Sequence, residues 1–191
     1  SSRRRHTRYW RDWSSDVCSS DLKDKNFVLQ AVKLNGDALR FASDELKKNR
    51  EVALEAVKGS SHAFRYIDAD LRSDRNFVLD ALKQVDTQKR STADEILEFV
   101  SVELKKDRQV VLEAVRQNGW AFRFASELLR RDRYFALEAV KINSDALKYV
   151  DEKLSNDPTF KSELEKITQQ NQNLTQASGW YQRVKLSFKR E

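Results

Sequence analysis

Few side chains in this 191-residue chain are of types that do covalent chemistry. It has one cysteine, Cys18, and two histidines, His6 and His62. A catalytic nucleophile needs a base within reach, and a metal site needs several convergent ligands. Cys18 and His6 lie in the first 22 residues, outside the patterned part of the chain, which leaves His62 without a second His or Cys as partner. His62 therefore reads as an exposed or helix-end residue. No glycine-rich phosphate loop follows a strand signal. The residue types thus predict no catalytic, cofactor-binding or metal-ligating residues, no cofactor, and no enzymatic activity.

What the chain does offer is ionic chemistry at a fixed spacing. An acidic column reads Glu55, Asp80, Glu113, Glu138, and a basic one reads Lys25, Arg50, Arg75, Arg108, Arg133. Both lie near helix starts, where they are expected to form ladders between successive units, each exposed pair worth only about 0–1 kcal/mol. A second basic column reads Arg40, Arg65, Arg123 and Lys148, with Glu98 in the odd copy. Lys47-Lys48, Lys105-Lys106 and Arg130-Arg131 add basic corners. Arg40, Arg65, Arg123 and Lys148 form the candidate binding stripe, for an acidic protein or, less favoured, for nucleic acid. The aromatics are expected on the core face and not among the basic residues, where nucleobases could stack on them.

The elements that position these columns repeat. The cleanest copy opens at Leu104 (LKKDRQVVLEAVRQNGWAFRFASE), and others open near Leu22 and at Leu46, Leu71 and Leu129. From Leu46 onward the starts are 25 residues apart, except that 33 separate Leu71 from Leu104, so the third copy carries an 8-residue insertion. Such a period is the signature of a stacked repeat architecture. Asp107 is a good N-cap, and the caps recur as Asp24, Asn49, Asp74, Asp107, Asp132 and Asp157. Val110, Val111, Ala114 and Val115 mark one helix face, and Asn118-Gly119 supplies a left-handed stop. Trp120, Ala121, Phe124, Ala125, Leu128 and Leu129 then mark the buried face of a second helix. An aromatic column there reads Phe41, Tyr66, Phe99, Phe124, Tyr149. The expected fold is all-α: a right-handed solenoid of stacked helical hairpins. Its repeats run near 22–45, 46–70, 71–103, 104–128 and 129–153, and a capping helix follows over 154–168.

The pattern L-x-x-D-R-x-x-V-L-x-A-V-x-x-N-G-x-A-[LF]-x-[FY]-A-S-x-E resembles a tandem α-helical repeat family of unknown function, over roughly Leu22 to Lys153. The chain departs from it at Gly59-Ser60-Ser61, at the insertion and after Leu154. The resemblance implies a bacterial protein, including those of intracellular and amoeba-associated bacteria. It implies a fold and a manner of use, but no reaction and no functional residues.

Residues 1–22 resemble translated sequencing-adapter sequence, of the kind found at the ends of metagenomic reading frames. They are set aside from fold reasoning as non-native and irregular. Their five Arg and three Asp carry +2 of the formal net charge of +6, leaving a mild +4 for the rest. With no methionine anywhere, the chain is expected to be a fragment. In the third copy the inserted polar loop, with Lys89 and Arg90, is a candidate contact loop. Ser91 or Thr92 is expected to cap the helix that follows, with Glu95 completing a capping box. Residues 169–191 read as a polar linker and tail.

The apolar runs are only a few residues long, so no membrane span is expected. These readings converge on a monomeric, non-catalytic protein-interaction scaffold of bacterial origin. The sequence leaves its compartment open between the cytoplasm and, if it is part of an effector, a host cell. The alternatives are a nucleic-acid-binding module using the basic stripe, and an accessory repeat region of a larger effector or enzyme.

Overall fold

The computed structural model describes residues 21–85, 93–167 and 169, and all regular structure among them is helical. Five long helices have the same length of 10 residues: Lys25–Leu34, Arg50–Gly59, Arg75–Gln84, Arg108–Gln117 and Arg133–Ile142. A sixth helix occupies 158–167, with Phe160 buried and Lys161, Ser162 and Glu165 exposed. Each of the five starts on the expected Asp or Asn, whose side chain accepts backbone N–H groups of the first turn. At about 15 Å each, they are too short to be stable alone in water and need neighbours. They find them by packing in series, each long helix on the next. The expected face of the fourth, Val110, Val111, Ala114 and Val115, is fully buried.

The second half of each unit is not the single α-helix the sequence suggested. Four units instead carry a six-residue 3-10 helix: Gly36–Phe41, Ser61–Tyr66, Gly119–Phe124 and Ser144–Tyr149. Two extended residues then break the run, for example Ala125 at φ −60°, ψ 151° and Ser126 at φ −57°, ψ 149°. A short helix follows: Asp44–Lys47, Ala69–Ser73, Glu127–Arg131 or Glu152–Ser155. The third unit differs. Its second element is a 7-residue α-helix, Ala93–Phe99, and its short helix, Leu104–Lys106, is 3-10.

Period decides which residues are buried. A 3-10 helix has about three residues per turn, so i, i+3 and i+6 share a face. Gly119, Phe122 and Ala125 do so and are buried, as are Gly36, Leu39 and Ala42. An α-helical period puts Trp120, Phe124 and Leu128 together instead. In the structure Trp120 is 46% and Leu128 75% exposed, and Phe124 is half-buried. The inner column is thus Leu39, Phe64, Leu97 and Phe122, all fully buried, and not the aromatic column two residues later. Phe64 and Phe122 each meet the next unit's long helix, at Phe77 (centroids 6.3 Å apart) and Phe135 (6.0 Å).

Two further contacts fix how the units sit on one another. A single backbone hydrogen bond joins successive short helices at the same register each time. Ser43 N–H donates to Leu22 O (3.0 Å), Asp68 to Lys47 (3.3 Å), Ser101 to Arg72 (3.3 Å), Ser126 to Lys105 (2.9 Å) and Asp151 to Arg130 (3.2 Å). The second contact is a close approach at the first 3-10 residue. The expected left-handed glycine stop is absent: no described residue has positive φ, and Asn118 is extended at φ −147°. Its side chain instead caps the 3-10 helix through Trp120 N–H. Gly119 is required by space. A Cβ there would lie 2.6 Å from Asn143 Oδ1 and 2.9 Å from Ala146 N in the next unit. In the second and third units the position is not glycine, and its side chain bonds forward. Ser61 Oγ donates to Glu95, and Asp94 accepts from Asn118 Nδ2 at 2.8 Å.

Gly119→Ala tests this account. Were only backbone freedom at stake, alanine at this negative-φ site would be neutral or stabilising. Crowding of the next unit predicts a loss of about 1–3 kcal/mol in urea unfolding.

Candidate interaction surface

Most charged groups on this surface are occupied within the stack. The N-cap aspartates use their two oxygens for two tasks. Oδ1 of Asp107 accepts from Val110 N–H (2.9 Å), and its Oδ2 takes Arg75 Nε of the preceding unit (2.8 Å). Asp132 likewise caps Phe135 (2.9 Å) and takes Arg108 (2.9 Å), and Asp74 caps Phe77 (3.1 Å) and takes Arg50 (3.3 Å). Asn49 has no second oxygen to offer, and there Lys25 pairs with Glu51 at 2.6 Å. Arg133 closes the series on Glu163 at 3.0 Å. The acidic column contributes Asp80 to Arg50 (2.7 Å) and Glu138 to Arg108 (3.7 Å), whereas Glu55 and Glu113 pair within their own helices. Arg50 and Arg108 also lie over the next unit's Phe77 and Phe135 rings.

The basic corners are mostly occupied too, Arg130 excepted, whose buried Nε has no hydrogen-bond partner. Lys47 pairs with Asp44 (3.4 Å), Lys48 with Asp68 (3.9 Å), and Lys106 with Glu103 (2.8 Å). Arg131 bridges Glu127 (2.6 Å) and Asp151 (3.0 Å). Lys105 donates to the carbonyl of Glu98 (2.7 Å), and burial lowers its pKa. His62 is exposed with Nδ1 3.0 Å from Glu95, the same carboxylate that holds Ser61. Glu95 therefore reaches the preceding unit, an engagement the capping-box reading does not anticipate. Among the described residues no group of three or more His, Cys, Asp or Glu could hold a metal ion. No described helix is long and apolar enough to cross a membrane.

The candidate stripe stands out against this background. Arg40, Arg65, Arg123 and Lys148 are the fifth residues of the four 3-10 helices, all exposed, and Glu98 holds the matching place in the third unit. The second elements pack in series, so these residues follow one edge in chain order. Among the described residues, the exposed arginines with no carboxylate at ion-pair distance are Arg40, Arg65 and Arg123. Each lies over a ring: Arg40 over Phe41 (4.3 Å), Arg65 over Phe99 of the next unit (5.1 Å), Arg123 over Phe124 (4.4 Å). Lys148 differs, bonding Asp145 at 3.0 Å and lying 5.9 Å from the Trp120 ring. The rings are therefore interleaved with the cations, contrary to the sequence reading, with Phe41 47% exposed. The period-three spacing of Gly119, Phe122 and Ala125 was the signal that could have placed them there. Lys89 and Arg90 lie outside the described residues, as do residues 1–20 and nearly all of the tail from 168 onward.

This arrangement is a tandem array of one helical unit, and the chain belongs to the family described as a domain of unknown function, DUF4116. That family matches it in four successive segments, 24–72, 49–86, 93–130 and 132–171. No curated protein and no solved structure matches the chain.

The two-oxygen aspartates make stability depend on pH. The N–H of Phe135 and, against some burial, the Arg108 guanidinium hold Asp132 below the usual carboxylate range. For Asp107, burial pushes the pKa up, but Arg75 and the N–H of Val110 outweigh it and lower it. With the folded-state pKa depressed, the stabilisation is complete above the unfolded carboxylate range near about pH 4. It is lost as pH falls through the folded value. Asp132→Asn keeps the cap and loses the ion pair, so at neutral pH it should cost less than about 1 kcal/mol and flatten the acid limb. Asp132→Ala should cost about 0.5–2 kcal/mol more through the lost cap. Urea titrations at neutral and acidic pH check both.

Proposed function

We propose that the chain is a right-handed solenoid acting as a non-catalytic protein-interaction scaffold, of bacterial origin, monomeric, with the 3-10 edge as its binding surface. The observation that carries this reading is the pairing pattern of the exposed arginines. Every other exposed arginine among the described residues is held by a carboxylate, whereas Arg40, Arg65 and Arg123 lie over rings with no carboxylate at ion-pair distance. A guanidinium not engaged by a carboxylate has its N–H fork available for bidentate carboxylate recognition.

A second reading, single-stranded nucleic acid, draws support from the half-exposed rings of Phe41 and Trp120 beside the cations. Against it, Asp37, Glu95, Glu98 and Asp145 sit on the same elements and would repel a continuous phosphate track.

The test is affinity capture on the chain and on an Arg65→Glu/Arg123→Glu variant, each with and without nuclease. Both arginines are exposed and would lose only a ring contact worth about 0.5–1 kcal/mol each, so the variant should stay folded with a slightly lower melting temperature. Discrete protein prey that resist nuclease and fall on the order of tenfold or more on the variant are the expected result. Prey that disappear with nuclease would sink the scaffold reading in favour of nucleic acid.

A further inference from the structure

Resting on that reading of the edge, we propose that it recognises an extended protein segment with the pattern acidic-x-x-basic-x-x-acidic. The acidic residues would pair with Arg65 and Arg123, and the basic residue with Glu98 between them.

The charge order along the edge is fixed by the third unit. Ser61–Tyr66 packs against Ala93–Phe99, which packs against Gly119–Phe124, so Arg65, Glu98 and Arg123 come in sequence as positive, negative, positive. Arg65 leans onto Phe99, one residue from Glu98, which ties the first two places together across the unit boundary. Glu98 is exposed, and among the described residues its carboxylate has no ion-pair partner. Its backbone oxygen is taken by Lys105, whose ammonium also feels the Glu98 charge. The three groups therefore face outward without being held in a direct ion pair. At the last unit the charge is weaker, since Lys148 is answered by Asp145 within its own helix, while Arg40 extends the edge with one more unpaired cation at the other end.

Spacing sets the ligand's period. Packed helices lie about 8–10 Å apart, so successive units place their edge residues at about that interval. An extended chain rises about 3.3 Å per residue, so about three residues span one unit. An acidic-x-x-basic-x-x-acidic segment then meets each charge with its opposite. The pattern reads the same in both directions, so it does not depend on which way the segment runs. A uniformly acidic segment would set a carboxylate against Glu98, and a polynucleotide would set a phosphate there. Like charges in contact act as a device of specificity.

The experiment uses the full chain and three labelled, end-blocked peptides at low ionic strength: Glu-x-x-Lys-x-x-Glu, the same composition with lysine at one end, and Glu-x-x-Glu-x-x-Glu. Poly-dT is run beside them. The expected result is a preference of on the order of tenfold for the first peptide over both others. Glu98→Lys should invert that preference toward the all-glutamate peptide, and Arg65→Glu/Arg123→Glu should abolish binding, each variant retaining a cooperative melting transition. Peptides that bind the parent but not the arginine variant, with no preference among them and no inversion by Glu98→Lys, would overturn the register while leaving the edge as a protein-binding surface. No peptide binding beyond that of the arginine variant would overturn both. Tighter, strongly salt-dependent binding of poly-dT would overturn both in favour of nucleic acid.

Discussion

One backbone hydrogen bond per unit sets the geometry on which everything else depends. Each runs from the residue that opens a short helix to a carbonyl of the preceding short helix, and its register is the same at every boundary. A short helix of four or five residues has little stability of its own. Tied to its neighbour, it holds the next long helix at a set offset. That offset brings Arg75 to Asp107 and Arg108 to Asp132, and seats Gly119 against Asn143. Packing of Phe64 on Phe77 and of Phe122 on Phe135 supplies apolar burial across the same boundaries. The hydrogen bond aligns the units, and the apolar contact contributes more of the free energy.

Within this frame the departures from the repeat become interpretable. Asn49 replaces aspartate in the one place where Lys25 has Glu51 to hold. Asp68 and Asp151 cap short helices in the two places where Lys48 and Arg131 reach back to them. Ser61 and Asp94 replace glycine where the following unit offers Glu95 and Asn118 as partners. These substitutions travel in pairs because a change on one unit is felt at the next, as expected for an array whose contacts are all between neighbours.

Much of this was legible in the sequence. The period, the N-caps and the long-helix faces follow from columns of residues, since capping and 3.6-residue amphipathicity leave strong local marks. The 3-10 helices were missed because six residues give only two turns, and Trp120 and Leu128 mimic the α-helical spacing. Gly119 was read as a conformational glycine, because a sequence does not reveal which atoms of the next unit will crowd a Cβ. The stripe Arg40, Arg65, Arg123 and Lys148 was visible as a column. Its separation from the ladder was not, since Arg65 and Arg75 are alike until their partners are known. The rings beneath the stripe were placed inside for the same reason that the period was misjudged.

The exposed place next to the last residue of each second element has a further consequence. Its side chain stays outside the buried columns, and the run Arg40, Arg65, Glu98, Arg123, Lys148 holds either sign of charge there. Such a position can change type while the buried columns around it keep theirs from unit to unit. Copies of one unit, multiplied by duplication, would then share an invariant frame and diverge at one letter each. The edge is thereby a short text that evolution can rewrite without disturbing the scaffold, and its length grows with the number of units.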